Sequence, residues 1–359
     1  MDISSSGVDA RLAAALGDAP SRIPVLLGPC GSGRTSALLR VRAGLDPGAA
    51  RYVDLERVTS TPERFLARVI ADSPFAWREP FGAASGPRDA YLRALGYFTE
   101  ARTAGGGPAT FLLDEALELR MFESFPGLGG AMADTLAALA GSPNRFVLAT
   151  KFESRALRAL RRASDRFLVV HVPPATVSSV AADLMREPGV RSDRAEETAR
   201  TVVALTDGRA AYVGAMVQAL AGSAPDAHDP VAALGNLLRP GGALSIRCHY
   251  SYEVRLHRAR GYGALKAVLG ILAEEEPLNL TEIALRLQRS PGSTRDYLGW
   301  LEDVDLVRVH RKRYTVADPV LRVWIRLYSG CEAPDEDRVA DVVQHYAVAR
   351  LSAGVTAGA

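Results

Sequence analysis

The residues of this chain that could do chemistry are concentrated first in a glycine-rich segment near the N-terminus. An apolar run from Ile23 predicts a buried strand that stops at Gly28. Four residues then precede Gly33, Arg34 and Thr35, which is the spacing of a phosphate-binding loop, with arginine in the place of the usual lysine. Glycines let backbone N–H groups turn toward a phosphate, and the positive end of the following helix faces the same anion. The segment therefore predicts a site for a nucleoside triphosphate.

The residues of this loop have distinct expected tasks. Thr35 is expected to hold Mg²⁺ through its hydroxyl oxygen. Arg34 keeps the charge of a lysine, but its guanidinium is planar, larger, and has its donors fixed in a fork. Because such a group cannot easily follow the charge that shifts along the β–γ bridge, we expect nucleotide binding with slow hydrolysis. The expected phosphate contacts are Gly28, Pro29, Cys30, Gly31, Ser32, Gly33, Arg34, Thr35 and Ser36.

The second chemical feature is the acidic pair Asp114-Glu115, which ends the apolar run that begins at Thr110. A buried strand that stops there places both carboxylates at the carboxyl edge of a sheet, where the phosphate loop also emerges. Asp114 is expected to order Mg²⁺ directly or through water, and Glu115 to orient and polarise the water that attacks the γ-phosphate. A solvated acidic pair at the start of a loop is the alternative, which the buried strand and the upstream loop disfavour.

Alternating strands and helices position these residues. The predicted strands are Ile23–Leu27, Arg51–Leu55, Thr110–Leu113, Arg145–Ala149 and Phe167–Val172. Several are apolar throughout, which is typical of an α/β fold with a parallel sheet that has helices on both faces. We therefore predict a P-loop core for residues 1–174, a helical lid for 175–243, a further unit for 244–330 and a tail for 331–359.

The unit 244–330 has the pattern of a winged helix-turn-helix. Its predicted helices are Tyr262–Ala273, Leu280–Leu287 and Ser293–Asp303. They are followed by a predicted hairpin of Val304–Val309 and Tyr314–Val316 with a basic tip. Three helices followed by such a hairpin are the elements of a winged helix.

Two surfaces of this unit are candidates for contact with duplex DNA. The third helix would lie in the major groove, where its contact residues would be Ser293, Thr294, Arg295 and Tyr297. The wing would touch phosphate or the minor groove through Arg311, Lys312 and Arg313. The acidic residues Asp296, Glu302 and Asp303 on the same helix count against DNA. A protein partner therefore stays open as the alternative.

Composition limits the other possibilities. The formal net charge of the chain is only +2, so contact with nucleic acid must come from a local patch. The three cysteines, Cys30, Cys248 and Cys331, fit no metal-ligand spacing, and their odd number disfavours a disulfide framework. Neither an export signal nor an apolar run of about 20 residues is visible, so we expect a cytoplasmic protein that makes no membrane contact.

The loop Gly28–Thr35, the pair Asp114-Glu115 and a strand that ends at Thr150 together resemble ATPases of the AAA+ and STAND type. The resemblance is to the archaeal-type and origin-recognition-like group that carries a C-terminal winged helix. It extends to the proline step Val172–Ala175 and to the helix within Leu205–Leu220. The segment from Asp318-Pro319 resembles the closing helix of the archaeal-type members.

This resemblance implies roles for further residues. Thr150 would sense the γ-phosphate, and Lys151 is a neighbouring candidate. Arg161 or Arg162 would reach the nucleotide of a neighbouring subunit in a homo-oligomer, although a solvated basic helix face is the alternative. Arg209 would be a second sensor, with a solvated arginine at a helix start as the alternative.

Together these features predict an ATP-binding AAA+/STAND-like ATPase that acts as a nucleotide-dependent switch, slow in hydrolysis, with ATP or ADP and Mg²⁺ as ligands. ATP is the expected nucleotide because no guanine-reading NKxD motif is visible. Two alternatives stay open. One is a non-hydrolysing scaffold that folds around nucleotide, and the other is a regulator whose activity is DNA binding by the winged helix.

Overall fold

The computed structural model describes residues 6–18, 20–78, 84–187, 192–222, 229–257, 259, 261–330 and 332–356. The chain divides into two compact units. We call Ser5–Pro29 with Gly33–Pro173 the sheet unit, and Cys30–Ser32 with Pro174–Ala359 the helical unit. The finer division into lid, winged helix and tail stays a prediction. Cys331 and the last three residues of the predicted tail lie outside the described residues.

The sheet unit is built on five parallel strands in the spatial order β2-β3-β4-β1-β5. These strands are β1 (Ile23–Leu27), β2 (Ala50–Asp54), β3 (Thr110–Asp114), β4 (Arg145–Thr150) and β5 (Phe167–His171). All residues of β1 and β3 are buried, as expected of strands that helices cover on both faces. The predicted α/β P-loop fold is confirmed, with strand ends that differ from the prediction by a residue.

Helices connect these strands. They are α1 (Ser6–Gly17), α2 (Arg34–Ala43), α3 (Leu55–Val58), α4 (Pro62–Ile70), α5 (Pro87–Glu100), α6 (Ala131–Gly141) and α7 (Glu153–Leu160), with a 3-10 segment over Ala116–Ser124. Leu112 of β3 packs in one core with Leu12 of α1 and Leu38 of α2. Phe111 points to the opposite face, where its ring centroid lies 5.1 Å from that of Phe98 in α5. The two faces of the sheet are therefore covered by different helices.

The helical unit continues with α8 (Val177–Arg186), a 3-10 turn (Ser192–Arg194), α9 (Ala195–Thr206), α10 (Ala210–Ala221), α11 (Pro230–Leu238), α12 (Ala243–His257), α13 (Tyr262–Glu274), α14 (Leu280–Leu287) and α15 (Pro291–Asp303), and ends with α16 (Pro319–Tyr328) and α17 (Glu336–Thr356). No helix among the described residues is long and apolar enough to cross a membrane.

A small antiparallel sheet of three strands accompanies α13, α14 and α15. Its strands are β6 (Leu278–Asn279), β7 (Val307–His310) and β8 (Arg313–Val316), in the order β6-β8-β7. The hairpin is tighter than predicted, because His310 already pairs with Arg313. The two-residue strand β6 was not predicted, since it is too short to leave an alternating pattern. The predicted three helices and hairpin are present in the predicted order.

Candidate functional site

The predicted phosphate loop connects β1 to α2. Gly31 and Gly33 have φ angles of 82° and 97°, in the left-handed region that favours glycine. Within α2, the N–H of Ala37 donates to Gly33 O at 2.9 Å, so the N–H groups before it lack an acceptor inside the helix. Free N–H groups at a helix start that follows a glycine turn form the arrangement in which an anion can bind.

Arg34 is the first residue of α2, and its guanidinium is buried against the loop. Nη1 donates to Pro29 O at 2.8 Å and also to Gly28 O. Nη2 donates to Glu115 Oε1 at 3.0 Å, which forms a buried ion pair. Nε is buried without a partner among the described residues. A buried cation with one donor that has no partner among the described residues therefore lies at the loop.

Asp114 joins the phosphate loop to β3. Its Oδ2 accepts hydrogen bonds from Thr35 Oγ1 at 2.6 Å and from Tyr52 OH at 2.9 Å. Its Oδ1 accepts the Glu115 N–H at 3.0 Å. A carboxylate beside a hydroxyl is a hard oxygen donor set that suits Mg²⁺. The two predicted metal ligands are thus adjacent, and their donors fit the predicted ion.

Tyr52 was missed in the sequence analysis, although it lies within the predicted strand Arg51–Leu55. Its register partner on β3 is Leu112, so its hydroxyl can reach Asp114. Burial raises the pKa of Tyr52, and the nearby charge of Asp114 raises it further, which keeps the hydroxyl protonated as a donor.

Glu115 follows β3 with a φ of 52°, a backbone conformation that is uncommon outside glycine and that suggests a functional constraint. Its Oε1 bonds Arg34, and its Oε2 accepts the backbone N–H of Lys151 at 3.1 Å. Lys151 Nζ lies 4.0 Å from the same Oε2. Burial raises the pKa of Glu115, while the charges of Arg34 and Lys151 act in the opposite direction. Both carboxylate oxygens are thereby held in fixed directions.

Lys151 directly follows β4, and Glu56 lies in α3, which follows β2. Lys151 Nζ bonds Glu56 Oε1 at 2.9 Å. Burial alone would lower the pKa of Lys151, but the charges of Glu115 and Glu56 outweigh burial and raise the pKa. Glu56 belongs to no recognisable sequence motif, so only the strand order could have identified it as a neighbour of Lys151.

Thr150, the predicted γ-phosphate sensor, is the last residue of β4 and pairs in register with Leu27 at the end of β1. Its side chain is buried, and its Oγ1 accepts the Phe152 N–H at 3.2 Å. Arg161 and Arg162 are exposed and directly follow the last residue of α7. The sensor and finger roles of these residues stay predictions.

Arg209, the predicted second sensor, forms a buried ion pair in the helical unit. Its Nη1 lies 2.8 Å from Asp318 Oδ2, and its Nη2 donates to Ala317 O at 2.8 Å. Nη1 also lies 3.3 Å from Cys30 O. The alternative of a solvated arginine is therefore wrong, because Arg209 is 5% exposed. A contact of Arg209 with phosphate stays a prediction.

The loop residues that belong to the helical unit have backbone partners there. Gly31 O accepts the Ala211 N–H at 2.9 Å. A Cβ atom added at Gly31 would lie only 3.2 Å from the Ala211 Cβ. Ser32 Oγ is buried without a partner among the described residues. This hydroxyl is a second orphaned polar group in the predicted phosphate loop.

One predicted DNA contact is wrong. Thr294 is fully buried, and its hydroxyl donates to Ser290 O at 3.0 Å, so it cannot reach a base edge. Arg295 is exposed, whereas Ser293 and Tyr297 are half-buried. The ring of Tyr297 lies 5.7 Å from that of Trp300. Of the helix candidates, Arg295 is the most accessible.

The tip of the β7–β8 hairpin carries two exposed cations. Arg311 and Lys312 have φ angles of 49° and 63°, as a two-residue turn between twisted strands requires, although neither is a glycine. Arg313 differs, because its Nη1 donates to Pro277 O at 3.0 Å and lies 3.8 Å from Glu282 Oε2. All three wing cations are thus exposed, and Arg313 is also engaged within the unit.

Comparison with solved structures gives a likeness in fold. The Walker-type ATPase of Pyrococcus abyssi is 18% identical to this chain and superposes on it with a TM-score of 0.63. The match covers 90% of this chain and 96% of the ATPase chain. Cdc6p of Pyrobaculum aerophilum is 15% identical over 96% of this chain and 93% of its own, but its TM-score is 0.42. A RuvB mutant of Thermotoga maritima is 13% identical over 88% and 93%, with a TM-score of 0.45. The first likeness shows a shared P-loop fold.

No protein-family model matches the sequence, and a comparison with curated proteins gave no match.

Proposed function

We propose that this chain binds ATP with Mg²⁺, hydrolyses it slowly, and acts as a nucleotide-dependent switch of AAA+/STAND type. The observation that carries the proposal is the hydrogen bond from Thr35 Oγ1 to Asp114 Oδ2, at 2.6 Å. This bond lies beside Glu115 and the start of α2. An anion site, a pair of hard oxygen ligands and a buried carboxylate are the parts that phosphoryl transfer to water requires. The shared fold with an archaeal Walker-type ATPase supports the same conclusion.

Each part has a task in this proposal. The N–H groups at the start of α2 and the unused Nε of Arg34 bind the phosphates. Thr35 and Asp114 hold Mg²⁺, which supplies charge neutralisation on the phosphate oxygens. Glu115 orients the attacking water and accepts its proton. These assignments use the residues that the sequence predicted for the same tasks.

Slow hydrolysis follows from the contacts of Arg34. Its Nη1 is bonded to loop carbonyls and its Nη2 to Glu115. To stabilise charge on a transferred phosphoryl group, these donors must leave partners that are already favourable. Because a planar guanidinium moves its donors together, this exchange costs more than the rotation of an ammonium would.

The remaining assignments complete the switch. Thr150 senses the γ-phosphate, Arg161 or Arg162 acts in a neighbouring copy, and Arg209 is a second sensor of the nucleotide. ATP is preferred to GTP because the sequence has no guanine-reading motif. The unit of α13–α15 and the hairpin is a winged helix that binds duplex DNA or a protein partner. The exposed wing-tip pair Arg311 and Lys312 supports DNA.

Calorimetry with ATP, ADP and a slowly hydrolysed ATP analogue in magnesium buffer tests the central claim. We expect heat of binding with all three nucleotides, and slow phosphate release with ATP alone. Absence of heat with every nucleotide would overturn the proposal. Binding without any turnover would favour the scaffold alternative. Mass measurements with each nucleotide, made in parallel, test self-association.

A further inference from the structure

Four charged side chains of alternating sign are linked by successive contacts at the carboxyl edge of the sheet. We call Glu56, Lys151, Glu115 and Arg34 the charge row. Glu56 Oε1 lies 2.9 Å from Lys151 Nζ, which lies 4.0 Å from Glu115 Oε2, and Glu115 Oε1 lies 3.0 Å from Arg34 Nη2. The row begins beside β2 and ends at the phosphate loop. Glu115 therefore lies between two cations: Arg34, which belongs to the phosphate loop, and Lys151, which follows β4.

The two cations hold Glu115 in different ways. Arg34 holds it by a side-chain donor alone, and the same guanidinium is the cation of the phosphate loop. Lys151 holds it by its backbone N–H at 3.1 Å, with Nζ nearby as a second positive group. Because Lys151 directly follows β4, this backbone donor is anchored next to the end of a sheet strand. A phosphate can attract Arg34 away from Glu115, but not the N–H of Lys151.

The ammonium of Lys151 is itself immobilised. Its side chain is 11% exposed, and its Nζ lies 2.9 Å from Glu56 Oε1. Nζ also lies 5.3 Å from the centroid of the Phe152 ring, within the range of a cation–π contact. These contacts keep Nζ close to Glu115 and oppose its movement toward a phosphate.

We propose that Lys151 is a positioning residue that keeps the Glu115 carboxylate oriented when Arg34 turns to the phosphates. This inference rests on the proposed function, since it assigns a task within the same site. Without the Lys151 ammonium, Glu115 keeps only the hydrogen bond from the Lys151 backbone N–H once Arg34 has turned to the phosphates. The carboxylate can then rotate away from the attacking water. Glu56 has a supporting task, because it holds the ammonium in place.

Three substitutions in the full chain separate this task from folding and from nucleotide binding. Lys151→Met removes the charge and keeps the apolar stem, while Lys151→Arg keeps the charge. Lys266→Met is the matched control, because Lys266 is also ion-paired, with Nζ at 3.0 Å from Glu253 Oε1, and belongs to the helical unit.

We expect Lys151→Met to lower kcat by roughly 10- to 100-fold, since a positioned general base contributes about 10²- to 10⁴-fold. The Kd for the slowly hydrolysed analogue should change less than twofold. Lys151→Arg should recover most of the kcat, and Lys266→Met should match the native chain. Added to Glu115→Gln, Lys151→Met should cause no further loss of kcat, because both act through one carboxylate.

Two solution results would overturn the inference: a native kcat in Lys151→Met, or equal losses in kcat and in affinity for the analogue. A crystal structure with the magnesium-bound analogue provides a readout that needs no turnover. Glu115 bonded to Lys151, with Arg34 on the phosphates, supports the inference, and Glu115 still bonded to Arg34 alone contradicts it. Absence of nucleotide binding by the native chain is a separate failure, that of the proposed function.

Discussion

Arg209 and Asp318, which are 109 positions apart, form a buried ion pair with Nη1 and Oδ2 2.8 Å apart. Asp318 Oδ2 also accepts the Tyr212 hydroxyl at 2.7 Å. Its Oδ1 begins α16 by accepting the N–H groups of Val320 and Leu321, each at 3.1 Å. Asp318 is 1% exposed and Arg209 5% exposed. A single carboxylate thus pairs with a guanidinium, accepts a hydroxyl and caps the first N–H groups of a helix.

Removal of Asp318 should therefore destabilise the helical unit strongly. We expect Asp318→Ala to lower the free energy of unfolding by about 3–5 kcal/mol, because it leaves the Arg209 charge buried without its partner. Urea unfolding followed by circular dichroism measures the change. The control is Glu196→Ala, which breaks the exposed pair of Glu196 with Arg200 and should cost less than about 1 kcal/mol. Equal effects of the two substitutions would show that burial of the pair has no energetic weight.

Substitution of the loop arginine by lysine should accelerate hydrolysis. In Arg34→Lys, a flexible ammonium replaces the guanidinium that is bonded to Pro29 and Glu115. We expect an increase in kcat of about tenfold or more with little change in the Kd for ATP, since transition-state contacts change more than ground-state ones. Phosphate release gives kcat, and calorimetry gives the Kd.

Arg40→Lys is the matched control for that experiment. Arg40 lies on the same helix, α2, and its Nε bonds Asp9 Oδ2 at 2.8 Å, so the substitution tests the helix without the loop. Its kinetics should be native. Fast hydrolysis by the native chain, with a slower Arg34→Lys variant, would contradict the account of Arg34 given above.

Nucleotide affinity should depend on Mg²⁺ through Thr35 and Asp114. In the native chain, chelation of Mg²⁺ with EDTA should weaken ATP binding, and in Thr35→Ala or Asp114→Asn most of this dependence should be lost. Tyr52→Phe leaves both ligands but removes a hydrogen bond to Asp114 Oδ2. We expect it to weaken Mg²⁺ binding by roughly 10-fold, the lower end of the effects seen when a bond to a ligand is removed.

The control for the magnesium experiment is Thr99→Ala, which removes a hydroxyl of the sheet unit that donates to Leu95 O at 3.0 Å within α5. Titrations of ATP with and without Mg²⁺ are compared across the variants. If the magnesium dependence of ATP binding is unchanged in both Thr35→Ala and Asp114→Asn, these residues do not hold the metal.

The sequence predicted those parts of the site that depend on neighbours along the chain. The loop Gly28–Thr35 and the pair Asp114-Glu115 are local patterns, and each lies at the end of a strand that could be recognised by its apolar residues. Glu56 and Lys151 needed more information. They contact each other next to Glu115 because β2 and β4 are the neighbours of β3 in the sheet. Strand order depends on packing between distant segments, and no local pattern specifies it.

Two other differences have causes of their own. The partner of Arg209 is an aspartate that the sequence could only associate with a helix start. Thr294 was assigned to the DNA-facing surface because of its residue type. Its spacing to Leu298 and Leu301, which are both buried, places it on the interior face of α15 instead. Periodicity would have identified that error before the structure did.

The wing should contribute to DNA affinity through two charges rather than three. All three cations are exposed, but Arg313 is already engaged with Pro277 O at 3.0 Å. We expect Arg311→Glu combined with Lys312→Glu to weaken binding of a duplex and to reduce the slope of log K against log salt by about 2, one for each lost phosphate contact. Fluorescence anisotropy at several salt concentrations measures both quantities.

A charge-matched control separates the wing from the overall charge of the protein. Arg194→Glu combined with Arg200→Glu changes the net charge equally, and both arginines are exposed outside α13–α15 and the hairpin. This control should retain most of the affinity and the slope, because electrostatic contacts beyond about 10 Å are screened in 0.1 M salt. If the wing variant binds duplex with native affinity and slope, the wing does not touch DNA, and a protein partner becomes the better assignment for this surface.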